Sequence, residues 1–370
     1  MRFEHRRWHG LFFSISHSLL LSGCYTLTQG YEQARLFSRR VPVAQVLNVG
    51  SESPERLEKL KLVPNVLQFA ERKLGFTPGS SYQHYISLDR KSLSYVVQAA
   101  PKRSLKLKTW WFPIVGSQPY LGFFNKSKAI EFQKELQNDG YDTTVGGVQA
   151  FSLLGFIPDP LYSSMLDNND IYQFIELLFH ETLHRTIYVP NASVFNENLA
   201  DFVARKATAA FLTEEHGDRD EAERYLASEH QIQKARTAFR EFLKTARQEL
   251  VDFYARPDVV ASTEDEFAAK RSEKFSQLES QYQAVAGEKV RGTNYAGFFK
   301  SDRFNNARLL GAVLYEARQE PFEDLLVRLD SDLAKFIQVM GACVEDVDEP
   351  ETKIWDTVAN CKREEGNENG

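Results

Sequence analysis

With 370 residues, 42% of them hydrophobic and 26% charged, the chain is long enough for one large domain or two ordinary ones and apolar enough to bury a core. A formal charge of −6 and a pI near 5.9, with basic residues scattered among acidic ones, exclude the basic footprint of a nucleic-acid binder, so no nucleic-acid partner is expected.

The chain opens with Arg2, Arg6 and Arg7, then the mostly apolar Leu11–Leu21, then Leu21-Ser22-Gly23-Cys24, the layout of a cleaved export signal over residues 1–23. The apolar run falls short of the about 20 residues a spanning helix needs. Leu-Ser-Gly-Cys resembles a bacterial lipobox. That resemblance implies cleavage before Cys24, a lipid on Cys24, and a protein anchored in the bacterial cell envelope facing the periplasm; Tyr25 in place of Asp favours the outer membrane. Cys343 and Cys361 remain as an even pair that could bridge in an oxidising compartment, two free thiols being the alternative.

From Tyr25 to about Arg72 the pattern is helical, with one segment over Tyr31–Leu47 and a second over Pro54–Leu74, ended by Gly75. The period changes between Tyr82 and Phe156. Ser94–Ala99 and Leu105–Trp110 read as strands, Phe112–Gly116 follows directly, and Lys126–Asp139 is an amphipathic helix with Ile130, Phe132 and Leu136 inward. Tyr141–Phe156 returns to strand on either side of Gly146-Gly147. Val148, Gln149 and Ala150 lie just ahead of the central helix, where a strand edge could bind an extended peptide substrate through main-chain hydrogen bonds; an ordinary sheet strand is the alternative.

The central helix has Asn168, Asn169 and Asp170 as caps and Ile171, Phe174, Ile175, Leu178 and Leu183 as its apolar face; Leu177 and Phe179 make it nearly apolar all round, hence buried. It carries His180-Glu181-Thr182-Leu183-His184. Four residues are little more than one turn, so His180 and His184 share a face and suit two imidazole nitrogens on one Zn²⁺. Zinc lowers the pKa of its water to about 7, and the neighbouring Glu181 is placed to take the proton as that water attacks a carbonyl. Buried without a partner, these three groups would be costly.

After Val189-Pro190-Asn191-Ala192 a second helix begins near Ser193. Its Glu197 lies thirteen residues past His184, room enough for a reversal that returns the carboxylate as a third ligand. Asp201, one turn further, can hold a histidine ring from behind, with Asn196 beside Glu197 in the same supporting layer. Asn-Glu-x-x-x-Asp after H-E-x-x-H resembles the glutamate-zincin pattern at a shorter spacing than in thermolysin-like enzymes. Glu176, one turn before His180, is the nearest carboxylate for a substrate's α-amine, with a structural role as the alternative.

Thr213 to about Val290 is strongly charged and helical; a periodic face from Ile232 to Phe253 is broken at Pro257 and resumed by Phe267, Phe275, Leu278 and Tyr282, an antiparallel hairpin. Another helix opens at Asn305-Asn306 and runs through Tyr315, Phe322–Gly341 is a last apolar helix, and residues 344–370 are expected to be a flexible acidic tail. Tyr315 or Tyr295 could supply a phenol to steady a tetrahedral oxyanion.

Taken together, Leu74-Gly75, Tyr82 through Leu88-Asp89-Arg90, Ala99-Ala100-Pro101, Lys108-Thr109-Trp110, Gly146-Gly147-Val148, Phe151-Ser152, Leu154-Gly155, His180–His184, Phe195-Asn196-Glu197 and Asn305-Asn306-Ala307 resemble a bacterial family of zinc aminopeptidases, lipoproteins of the zincin type. The resemblance implies an α+β zincin-like fold, a mixed sheet with active-site helices and a mainly helical C-terminal part. It also implies a zinc-dependent peptidase with His180, His184 and Glu197 as ligands and Glu181 as general base. The alternatives are a zinc endopeptidase and a non-catalytic envelope lipoprotein that uses the scaffold for binding. Trp111 and Ser117 stand where the family often has cysteines. The organisation expected is 1–23 signal peptide, 24–212 catalytic region, 213–343 helical region packed on it, and 344–370 tail.

Overall fold

A computed structural model describes residues 29–361 except 113–115, 150–157, 215–218, 317–318 and 346. The segment expected as an export signal, Cys24 and the last nine residues lie outside the described part. Helix α1 covers residues 29–37, strand β1 is Val41–Pro42 and α2 is Val43–Val49. The single helix expected over Tyr31–Leu47 is thus two, because Pro42 has no N–H to give and holds Val41 extended. Helix α3, Pro54–Leu74, starts where Ser53 Oγ accepts the Arg56 N–H and ends on Gly75, whose φ of +72° suits a residue without a Cβ.

Strands β2 (His84–Ile86), β3 (Ser94–Pro101), β4 (Trp110–Phe112), β5 (Gly116–Gln118) and β6 (Leu121–Phe123) follow, then helix α4 (Lys126–Asn138) and strands β7 (Tyr141–Val148) and β8 (Leu161–Tyr162). Among the described residues these form three small sheets: β6-β3-β7, antiparallel; β1-β2-β8, with β2 and β8 parallel; and the hairpin β4-β5. Leu105–Thr109, expected as a strand, is irregular, held to β3 by the bond from Lys108 N to Ala99 O. β7 runs unbroken through Gly146-Gly147; a side chain at Gly147 would collide with Ser92 Oγ. Residues 111 and 117 are cross-strand partners in β4-β5.

The rest is helical: α5 (Ser163–Asp167), α6 (Ile171–Thr186), α7 (Ser193–Glu214), α8 (Arg219–Ala255), α9 (Pro257–Val260), α10 (Glu264–Val290), α11 (Asn306–Glu316), α12 (Glu320–Arg328), α13 (Leu333–Val344) and α14 (Pro350–Asn360). The fold is α+β and mainly helical. Among the described residues no helix is long and apolar enough to cross a membrane.

Two large apolar clusters lie among the described residues. One joins α3, α6 and α7 to α12, α13 and α14 through Phe69, Phe179, Phe195, Phe211, Phe322 and Phe336; the other lies within the α8-α10 hairpin around Phe239, Leu278, Tyr282 and Phe299. The hairpin is tied to the sheet by Arg271 on Asp142 and by Asn306, whose Nδ2 donates to Pro101 O and Lys102 O while its Oδ1 accepts the Tyr254 hydroxyl. Residues 350–361 are not the flexible tail expected from their polar composition. Ile354 and Val358 of α14 are buried in the first core, and Cys361 is bridged to Cys343. Every fourth position of α14 is apolar, and that stripe decides its place.

Candidate metal centre

Helix α6 begins with a reciprocal cap, Asp170 Oδ1 accepting the Gln173 N–H at 2.8 Å and Gln173 Oε1 accepting the Asp170 N–H at 3.1 Å. Its inner face is locked by Phe179, whose ring meets those of Phe69, Phe76 and Phe211 edge-on. Helix α7 returns antiparallel along α6. The turn between them is pinned by Asn196, whose Oδ1 accepts from Val189 N at 3.0 Å and whose Nδ2 donates to Val189 O at 2.8 Å. Asn196, expected beside the ligands, serves the backbone of the turn.

This pairing brings His180, His184 and Glu197 together, with one donor atom from each lying within 4.8 Å of the others. His180 Nε2 is 3.2 Å from His184 Nε2 and 3.4 Å from Glu197 Oε2, and His184 Nε2 is 3.7 Å from Glu197 Oε1. On the other side of the ring, His180 Nδ1 is 2.9 Å from Asp201 Oδ1. A proton on Nδ1 shared with that carboxylate leaves the Nε2 lone pair facing the other donors.

Burial disfavours the imidazolium of His180, but its hydrogen bonds to Asp201 and Glu197 outweigh that and hold its pKa above the ordinary histidine value. His184, which has no such hydrogen-bonded carboxylate, is pushed down to about 4 by burial. Burial works against the charge on Glu197 and Asp201 as well; the hydrogen bond from His180 reverses it and both stay below the usual carboxylate range. Glu181 is 8% exposed, and burial, opposed by His180 and reinforced by Glu197 and Asp159, lifts it to about 7. The arrangement can hold a metal ion and offers a carboxyl poised near neutrality beside it.

The other expected positions are less central. Val148 pairs with Ser94 at the end of β7, an edge strand of its sheet; the Gln149 carbonyl accepts from Ser164 Oγ at 2.6 Å and its side chain from Asn169 Nδ2 at 2.6 Å. Ala150 lies outside the described residues, as does the Tyr315 side chain. Tyr295 belongs to the hairpin core, stacked 4.6 Å from Phe239 with its hydroxyl accepting from Arg236 Nε at 3.2 Å. Glu176 is half-buried among charges of both signs, Arg205 and Arg236 on one side of the balance and Glu229 and Asp201 on the other.

Tyr120 and Tyr188, which sequence reasoning passed over, lie close enough to the centre to feel its carboxylates. Tyr120, between β5 and β6, has its phenol pushed up by burial, by Glu197 and Glu181 and by Tyr188; Tyr188 is pushed up by burial and by Glu197. Tyr188 stands four residues after His184 but past the end of α6 at Thr186, so helix spacing did not mark it, and nothing in the sequence marked Tyr120.

The chain is α+β, and its paired helices gather a His-His-Glu group that could hold a metal ion. The chain belongs to the family described as "Putative aminopeptidase", whose sequence profile matches residues 24–354. No curated protein and no solved structure matches it. Membership supports a peptidase function.

Proposed function

We propose that the protein is a zinc-dependent aminopeptidase of the bacterial envelope. The observation that carries this is the donor triangle His180, His184, Glu197 with the near-neutral Glu181 beside it. Donors about 2.0–2.1 Å from a tetrahedral zinc sit about 3.3–3.4 Å from one another; here the two imidazole Nε2 atoms are 3.2 Å apart, with Glu197 Oε2 3.4 Å from His180 Nε2 and Glu197 Oε1 3.7 Å from His184 Nε2. The set of two imidazoles and one carboxylate, with a fourth position left for water or substrate, is that of a catalytic rather than a structural zinc. When bound, zinc supplies Lewis acidity for a carbonyl oxygen and acidifies a coordinated water.

The chain's own residues do the rest. Glu181 accepts a proton from the attacking water and delivers it to the departing amine, a role suited to a carboxyl near pH 7. Asp201 orients His180 through Nδ1. Tyr120, near enough to feel both Glu197 and Glu181, donates its hydroxyl to the developing oxyanion in place of Tyr295. Leu21-Ser22-Gly23-Cys24, a family match that begins at Cys24, and the Cys343–Cys361 disulfide support an exported, lipid-anchored chain, because such bridges persist in oxidising compartments.

The test is metal analysis followed by assay on peptides with free and with acetylated N-termini. Bound zinc, cleavage of the free peptides alone, and loss of turnover in Glu181→Gln with zinc retained are the expected results. Cleavage of the acetylated peptides would make it an endopeptidase, and a zinc-loaded protein that cuts neither would make it a binding scaffold.

A further inference from the structure

The net charge conceals a local asymmetry. Residues 90–138, from β3 to the end of α4, carry nine lysines and arginines against two acids, Glu131 and Glu135, which leaves 36 cations to 49 acids in the rest of the chain. Between Arg90 and Ile130 there is no acid at all. Both arginines are used inside the fold: Arg90 donates to Ser92 O and Leu93 O, and Arg103 pairs with Glu264 of α10 across the Phe267 ring. The seven lysines form no ion pair among the described residues.

This stretch folds as one unit around α4, whose Ala129, Phe132 and Leu136 pack on Val97, Leu121 and Phe123 of the sheet. Trp110 of the β4-β5 hairpin closes an edge of that cluster, its ring 6.3 Å from Phe132. Lys126 Nζ is 6.0 Å from the Tyr95 ring, and Lys108 Nζ is 5.1 Å from Tyr141 and 5.9 Å from Trp110. All three rings are only half-buried. Strand alternation turns Trp111 the other way, where it is 71% exposed. Lysine stems laid on half-exposed aromatic rings, with a bare tryptophan beside them, suit the boundary between water and lipid, where rings meet acyl chains and ammonium groups meet phosphate.

The N-terminal end of the chain is fastened to the same unit. Gln29 Oε1 accepts the Phe124 N–H at 3.3 Å, and Tyr31, the other exposed aromatic among the described residues, follows on α1. Cys24 is five residues ahead of Gln29, at most about 18 Å of extended chain, so a lipid on Cys24 keeps this unit close to the bilayer. An anionic bilayer attracts the basic unit and repels the acidic remainder, which favours one orientation. We propose that the unit of β3 to β6 and α4 is a membrane-resting face whose unpaired lysines meet anionic phospholipid headgroups and whose Trp111 enters the interface, so that the lipid retains the protein and this face orients it. The proposal rests on the envelope reading given above.

The experiment is co-sedimentation of the full chain, produced without lipid on Cys24, with vesicles of phosphatidylcholine alone or with about one-third phosphatidylglycerol. Residues 1–23 are present in every sample and cancel in the comparison. Each lysine near an anionic surface strengthens binding about fivefold, so Gln at the exposed Lys102, Lys106, Lys126 and Lys128 weakens binding to the anionic vesicles about 100-fold. Gln at Lys61, Lys234, Lys289 and Lys300, equally exposed, removes the same charge and leaves binding within a few-fold of wild type. Trp111→Ser weakens it severalfold. Equal losses from the two lysine sets, or none from the first, overturn the proposal, as does binding to inorganic polyphosphate without binding to the vesicles. Protein recovered from cells with no lipid on Cys24, by mass spectrometry, removes the envelope reading and this proposal together, whereas a lipidated protein whose vesicle binding ignores the first lysine set removes this proposal alone.

Discussion

Replacing Glu176 by Gln should change how stability depends on pH more than stability at any one pH. Burial raises the Glu176 carboxyl from 4.5 to about 7, Arg205 partly opposing. Below pH 4.5 it is protonated in the folded and unfolded chains alike. Between pH 4.5 and 7 the unfolded chain ionises while the folded one keeps its proton, so the wild type loses stability as pH rises; above 7 the loss is complete. At 1.36 kcal/mol per pH unit the full loss is about 3 kcal/mol, a ceiling because the side chain keeps some contact with solvent. Glu176→Gln lacks this slope. Urea unfolding of the metal-free protein at several values from pH 4.5 to 8 should show the variant gaining on the wild type by up to about 3 kcal/mol, most of it before pH 7. Parallel curves would refute the reasoning and mean that Glu176 is already ionised against Arg205.

Glu197→Ala should lower zinc content more than Asp201→Ala does, since the first removes a donor and the second only the partner of His180 Nδ1; equal and negligible effects in metal analysis would take Glu197 out of the site. Tyr120→Phe should reduce kcat about 10²- to 10³-fold at nearly constant KM if its hydroxyl meets the oxyanion, as steady-state kinetics would show. Serine at both Cys343 and Cys361, 18 residues apart, should cost about 3 kcal/mol by loop-closure entropy, read from denaturant midpoints with and without reductant.

The pentapeptide and the Glu197/Asp201 follow-up were readable because helix periodicity fixes which residues share a face, and the structure sets those residues opposite one another. The same rule, applied one turn further in each direction, already contained Glu176 and Arg205. What periodicity could not supply was anything arriving from outside the two helices. Tyr120 sits in a short bend whose position depends on how the small sheets pack, and Arg236, among the charges around Glu176, comes from α8, 35 residues past Asp201. Residues 350–361 were obscured by composition: their charges mask a stripe of Ile354 and Val358 that only the neighbouring helices complete.

Asn196 has a consequence for how tightly the centre is specified. Each residue turns a helix by about 100°, so a slip of one position in the turn after α6 would swing Glu197 away from both imidazoles. By gripping both backbone polar atoms of Val189, a single amide sets the phase of α7 relative to α6. Aspartate at that position would keep the size but lose the donor to the carbonyl. The rotational setting of the whole donor column would then rest on helix packing alone, and metal selectivity, more than metal binding as such, is where a loosened angle would first show.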